Sequence, residues 1–281
     1  MSEQWLCGRF EFSLERPILM GIVNVTPDSF SDGGQHASAE AAIAHAWQLR
    51  GEGAHILDIG GESTRPGAQA VSVQEELARV LPVVEALRDS DVAISVDTCK
   101  PEVMHAALAA GADMINDVTG FRHEQARLVV SRHPTCGICV MHMQGEPRTM
   151  QLNPHYEDVL AEVTAELLAQ ARVLESLGIA RRRISIDPGC GFGKSVAENY
   201  ALLGGIAQLA ATGYPVLLGV SRKSFIGALT GRPVPERLAG SIGAALAGVS
   251  RGAAIIRVHD VAPTLDALKV WYAVNEGEGQ Q

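Results

Sequence analysis

The residues best suited to chemistry in this chain stand where short apolar runs stop. Asn24, Asp58, Asp97, Asn116 with Asp117, His142, Asp187, Ser221, and Arg257 with His259 each close or follow such a run. A single terminal Asp or Asn is an ordinary helix cap or turn residue. The same feature at the end of nearly every run asks for another reason. Carboxylates collected at one rim need hydrogen-bond donors, because an unpaired buried charge is costly. A small heterocycle with two adjacent N–H groups supplies them, and an asparagine can read both a donor and an acceptor. Ser221-Arg222-Lys223 and the pair Arg257 and His259 add basic groups. Cations gathered on one rim suit a substrate carrying phosphate or carboxylate. Residue types alone therefore point to a polar heterocycle plus an anion, and no further.

The elements that position these groups follow from periodicity. Apolar runs at 18–23, 55–59, 92–96, 114–118, 137–141, 184–186, 216–220 and 253–258 are rich in Val and Ile, and most lack polar alternation. Strands buried on both faces read this way. Between and after them lie Ala/Leu/Glu-rich stretches at 38–52, 72–89, 101–110, 122–132, 155–178, 196–212, 235–250 and 262–275. Thr98 to Glu102 and Asn153-Pro154 read as helix entries, with proline early in the first turn. Eight strands alternating with eight helices, undivided by any Pro/Ser-rich linker, predict a single-domain (β/α)8 barrel of the α/β class rather than a doubly wound open sheet. In such a barrel the C-terminal rim carries the site, and the loops after strands seven and eight are the recurrent anion site. Lys223 falls after the seventh run, and Arg257 and His259 at the eighth. Arg181-Arg182-Arg183 precedes the sixth run at the opposite rim and reads as a solvated cluster.

Composition excludes other classes. Lys and Arg number 23 against 32 Asp and Glu, a net charge of −9, which argues against nucleic acid as a partner. Five cysteines, an odd number in a chain of 281 residues, are not a disulfide scaffold. No run approaches the roughly 18 apolar residues of a membrane span, and no secretory leader is visible. A cytoplasmic protein with no membrane partner is the expectation. The stretch Gly189 to Ser195 resembles a phosphate loop, but Pro188 occupies the place of its first glycine, and a dinucleotide fingerprint lacks its third glycine. It reads instead as a glycine-rich rim loop open to close backbone approach. Cys136 and Cys139 have CxxC spacing without a second ligand pair, and Cys139 lies inside an apolar run, so both read as core.

Residues 19–34, LMGIVNVTPDSFSDGG, and 53–66, GAHILDIGGESTRP, closely resemble the two signature segments of the dihydropteroate synthase family. The likeness continues through Ser95 to Thr98, Ile115 to Val118, Met141 to Met143, Asp187 to Gly189, Gly219 to Phe225 and Arg257 to Asp260. The resemblance implies a barrel over residues 14–275 and a tail at 276–281. It implies a Mg2+-dependent condensation of 6-hydroxymethyl-7,8-dihydropterin diphosphate with 4-aminobenzoate, giving 7,8-dihydropteroate and pyrophosphate. Carried over by position, Asp97, Asn116, Asp187 and Lys223 hold the pterin, and Asn24 meets Mg2+ and the diphosphate. Arg257 and His259 bind diphosphate oxygens with help from Thr64 and Arg65. Thr64, Arg65, Pro66, Phe192, Ser221 and Lys223 form the 4-aminobenzoate pocket, with mobile loops at 25–36 and 61–72. Lys223, Asp97, Arg257 and His259 are the catalytic candidates. A homodimer through the late helices, around 222–275, is implied as well. The alternatives are a methyltransferase using methyl-tetrahydrofolate, which lacks a diphosphate to bind, and a pterin-binding paralogue without turnover.

Overall fold

The computed structural model describes residues 4–25, 34–64, 67–145, 150 and 154–276, apart from the side chains of 34–38. A hairpin comes first, β1 (Gln4–Cys7) and β2 (Phe10–Ser13), followed by β3 (Ile18–Asn24), α1 (Gly34–Gly51), β4 (Ile56–Gly60) and α2 (Val73–Leu87). Then come β5 (Ala93–Asp97), α3 (Pro101–Ala110), β6 (Met114–Asp117), α4 (Glu124–Arg132), β7 (Gly137–Met141) and α5 (Val159–Ser176). The chain continues through β8 (Ile184–Asp187), α6 (Val196–Gly204), α7 (Ile206–Ala210) and β9 (Val216–Gly219). It finishes with α8 (Ser224–Thr230), α9 (Leu238–Val249), β10 (Ala253–Val258) and α10 (Val261–Glu276). Strands β3 to β10 pair in parallel and close into a barrel, with β10 against β3.

Side-chain direction divides each barrel strand in two. Leu19, Val23, Leu57, Ile59, Ile94, Val96, Ile256 and Val258 join the apolar layer shared with the helices. The alternate positions face inward. Near the strand starts these are Ile18, Met20, Ile56, Ala93, Met114, Cys139, Leu217 and Ile255, which form a separate apolar cluster. Farther along, the same faces bear Asp58, Ser95, Asp97, Asn116, Asp187 and Arg257. The barrel is thus oily at its floor and polar at its mouth.

The reading of the sequence, which starts the barrel unit at residue 14, does not foresee the hairpin. Trp5 and Cys7 belong to the inner floor cluster, with Phe10, Phe12 and Leu14 packed on it. Arg9 locks the hairpin down: its Nε and Nη2 donate to the two carboxylate oxygens of Asp113, each at 2.9 Å. Asp113 Oδ2 also accepts from the backbone N–H of Ile94 at 3.0 Å. The arginine cluster differs from expectation too. Arg183 is buried and donates to the carbonyls of Cys136 and Val130 at 2.8 and 3.1 Å. Arg182 remains on the surface with Glu11 of the hairpin.

Local signals account for the helix starts. Ser72 caps α2 by accepting from Glu75 N–H, Pro101 opens α3, and Ser195 with Glu198 forms a capping box on α6. Helix α5 begins at Val159, capped by Asp158, later than the entry read at Asn153-Pro154, of which Asn153 lies outside the described residues. The 196–212 stretch is two helices, broken at Gly205. No described helix is long and apolar enough to cross a membrane.

Trp5→Ala should lower unfolding free energy by about 3–5 kcal/mol, because a fully buried indole leaves a cavity at the floor. Urea denaturation should show an earlier midpoint, while the folded fraction keeps its ligand affinity because the mouth lies at the other end.

Candidate active site

The centre of the mouth is an arginine held between two carboxylates. Arg257 Nε donates to Asp58 Oδ2 at 2.6 Å, and Nη2 donates to Asp97 Oδ2 at 2.9 Å. Asn116 Nδ2 donates to the same Asp58 oxygen at 3.3 Å. Sheet register makes this possible: Asp97 is level with Asn116 on β6 and with Gly60 on β4. Gly219 is level with Arg257 and leaves space beside its stem. Burial works against the charge on Arg257, but Asp58 and Asp97 outweigh it and hold the guanidinium protonated. Two carboxylates for one cation leave a deficit. Burial, with the negative charge of Asp58 added, pushes Asp97 up to about 7 despite Arg257.

Acceptors remain open. Asp58 Oδ1, Asp97 Oδ1, Asn116 Oδ1 and Ser95 Oγ are buried and have no hydrogen-bond partner among the described residues. Buried polar atoms are normally paired, so four in one mouth describe a surface waiting for donors. Asp187, at the end of β8, is buried, and burial raises its pKa. Its Oδ1 accepts from Gly189 N–H at 2.7 Å.

The second half of the site comes from the loops after β8, β9 and β10. Lys223 Nζ lies 4.1 Å from the ring centroid of Phe192, a cation–π contact. Burial, and then Arg257, push Lys223 down to about 8. Gly191 has φ +85, and a Cβ there would come 3.0 Å from Lys223 Cδ, so the loop closes directly on the lysine stem. Ser221 Oγ sits 3.0 Å from His259 Nδ1 and accepts from His259 N–H at 3.2 Å. Burial and Arg257 push His259 down to about 3. It therefore enters the site as a neutral donor, whereas the basic rim read from sequence counts it with the cations. Arg222 turns away from the mouth and pairs with Asp260, tying the last two loops together.

Asn24 stands half-buried at the end of β3 and Thr64 half-buried in the loop after β4, neither hydrogen-bonded to this group. Asn24 and His259 also border a cavity of about 540 Å³ reaching along α1 to His45 and Gln48. Arg65 and Pro66 lie outside the described residues, as do most of loop 25–36 and the tail beyond Glu276. Asp58, marked in the sequence as a polar residue at a strand end, was given no role there, yet it holds Arg257. Its signal was there, an acid at an inward position two residues from Gly60. Cys136, Cys139 and Cys190 are buried and free, and burial pushes the Cys136 and Cys190 thiols up to about 12, which denies them a nucleophilic role at neutral pH.

A barrel whose mouth sets acceptors beside fixed cations agrees with comparison to known proteins. Residues 20–259 match the family of pterin binding enzymes. The chain is 54% identical over 276 residues to dihydropteroate synthase of Neisseria meningitidis serogroup B, covering 96% of this chain and 97% of that protein. Dihydropteroate synthase of Xanthomonas albilineans, solved with 4-aminobenzoic acid, superposes with a TM-score of 0.92 at 53% identity, covering 98% and 99% of the two chains. That of Burkholderia cenocepacia, complexed with 7,8-dihydropteroate, gives 0.90 at 50% identity, covering 100% and 99%. The chain belongs to the pterin binding enzymes. Its activity is that of the dihydropteroate synthases within them, a transferase activity of folate biosynthesis; neither a silent paralogue nor a methyltransferase is favoured.

Asp58→Asn should lower kcat/KM by about 100-fold, since Arg257 loses its shortest ionic contact and a small displacement at the reacting centre is enough for that loss. Steady-state rates on soluble, folded variant check it; a wild-type rate would show that Arg257 keeps its place without Asp58.

Proposed function

We propose that the chain condenses 6-hydroxymethyl-7,8-dihydropterin diphosphate with 4-aminobenzoate, releasing pyrophosphate and 7,8-dihydropteroate. The observation that carries this assignment is the set of unpaired acceptors around Arg257. An aminopyrimidine edge offers adjacent N–H donors that match Asp97, Asn116 and Asp187, with Asp58 completing the set. The relatives named above, solved with 4-aminobenzoic acid and with 7,8-dihydropteroate, support the same substrates here.

The reaction breaks a C–O bond to an anion, so stabilisation is needed where negative charge grows on the leaving oxygen. Arg257 is the fixed cation at that end. Lys223 is the adjustable one, because an arriving diphosphate favours its protonated form. His259, with Nδ1 accepting from the Ser221 hydroxyl, has Nε2–H free to donate to a diphosphate oxygen. The pterin methylene carries positive charge as the bond lengthens, and ionised Asp97 stabilises it. We therefore assign a dissociative path. The aromatic amine is neutral and attacks without a general base, and the proton that the new C–N bond makes acidic is lost to the departing pyrophosphate or water; Phe192, Ser221 and Lys223, with Thr64, Arg65 and Pro66, form its pocket.

Magnesium fits the chemistry of the donors. The described residues hold no cluster of three or more His, Cys, Asp or Glu able to bind a metal. A hard cation bound mainly by substrate oxygens and water needs only one amide oxygen from the protein, and Asn24 supplies it at the mouth. Bound there, Mg2+ would neutralise diphosphate charge. We also assign a cytoplasmic location, in keeping with five free cysteines, and a homodimer through the late helices. Leu229, Val234, Leu238, Val270 and Val274 are exposed apolar residues in that region.

Pyrophosphate release requiring both substrates tests the assignment; release with neither or only one would overturn it. A second outcome follows from Asp97. Its folded pKa is raised above 3.8 to about 7, and the pterin needs the ionised form. Binding of the unphosphorylated dihydropterin should then tighten as pH rises from about 6 to about 8 and release a fraction of a proton near pH 7. Calorimetry in buffers of different ionisation enthalpy reads this directly; proton-neutral, pH-independent binding would remove Asp97 from the pterin contact.

A further inference from the structure

The lysine of the glycine-rich stretch does not face the mouth. Lys194 is 3% exposed, and its ammonium points back into the loop that carries it. Nζ donates to the carbonyls of Phe192 at 2.9 Å, Gly189 at 3.1 Å and His142 at 3.3 Å, and lies 3.0 Å from His142 Nδ1. Its partners belong to two strand ends, β7 and β8, so one cation binds the two loops together. An ammonium has only donors, and here every acceptor in reach is neutral.

His142 is the hinge of the arrangement. Its backbone N–H donates to the Asp187 carbonyl at 3.0 Å. Its Nε2 lies 3.2 Å from Glu166 on α5, and Arg122 also pairs with Glu166. Burial lowers the His142 pKa. The neutral tautomer with the proton on Nε2 satisfies both sides at once: it donates to Glu166 and accepts from Lys194. Burial likewise takes Lys194 down to about 8.

What the cage holds is the site itself. Gly189, whose carbonyl Lys194 binds, donates its N–H to Asp187. Its φ is +66, and a Cβ there would lie 1.9 Å from the His142 carbonyl oxygen, so the two loops touch backbone to backbone. Phe192, whose carbonyl Lys194 also binds, presents the ring on which Lys223 rests.

We propose that Lys194 is a positioning residue for the transfer reaction: its buried ammonium fixes the loop after β8 and thereby sets where Asp187, Phe192 and Lys223 meet the two substrates. Glu166, through His142, keeps the acceptor turned toward it. The inference rests on the reaction assigned above and adds to it a residue that touches neither substrate.

Lys194→Met keeps the length of the side chain and removes every donor. The KM for 4-aminobenzoate should rise by about 10- to 100-fold, with a smaller change in kcat. In a Phe192→Ala background the same substitution should change that KM by less than about threefold, because the route through Phe192 is already lost. A purely structural lysine would give the same factor in both backgrounds. Should Lys194→Met fail to fold, His142→Phe decides, since it keeps a ring and removes one acceptor; the KM should rise by about tenfold. An unchanged KM in a soluble variant, or full additivity with Phe192→Ala, overturns the proposal. A wild-type chain that releases no pyrophosphate would instead strike at the reaction, while an active wild type with unaffected variants strikes at Lys194 alone.

Discussion

A guanidinium divided between two buried carboxylates sets the terms for the interior of this barrel. Side chains normally fill such a barrel in layers of branched apolar residues. Here the layer above Met20, Ile56, Ala93 and Ile255 holds Asp58, Ser95, Asp97, Asn116 and Arg257 instead. Charges placed there are tolerable only as a set, since a buried ion left without its partner costs roughly 3–5 kcal/mol. Arg257 holds two acids, Gly219 gives it room, and the acids keep one oxygen each unpaired. The mouth is polar because it is not finished until a ligand joins it.

The unpaired carboxylate oxygens of Asp58 and Asp97 lie at one end, although Trp5 Nε1 at the floor also lacks a partner among the described residues. The floor is sealed by apolar side chains of the hairpin, so the stability of the barrel rests on parts that never meet substrate. The cations of the rim divide in the same spirit. Arg257 is charged at all working pH values, His259 is neutral, and Lys223, near 8, lies within reach of the charge that a substrate brings. The electrostatic field of the site is therefore set partly by what occupies it.

Much of this was legible in the sequence. Buried parallel strands announce themselves as Val/Ile runs, and the polar residues at their ends mark the rim, which is how Asp97, Asn116, Asp187 and Arg257 came forward. Asp58 was marked with them, but as one strand-end residue among many and without a role; only inward alternation places it beside Arg257. The hairpin was harder. Its strands have four residues each, and their apolar faces make sense only against a floor assembled from distant strands. The role of Lys194 was missed for a different reason: its partners are largely backbone carbonyls, which every residue carries and no sequence pattern displays. The residues alone gave a heterocycle and an anion; the motif likeness supplied which ones.

The sealed floor also has a bearing on how the chain is made. Trp5 packs in one cluster with Leu217 and Ile255, more than 200 positions further on. Synthesis from the N-terminal side produces the indole long before its companions exist. Until the last strand zips against the first, the hairpin is a sticky segment with nowhere to hide, and contacts of such sequence separation form late and slowly. The plug that makes the finished molecule durable is, during its birth, the part most in need of a chaperone's protection.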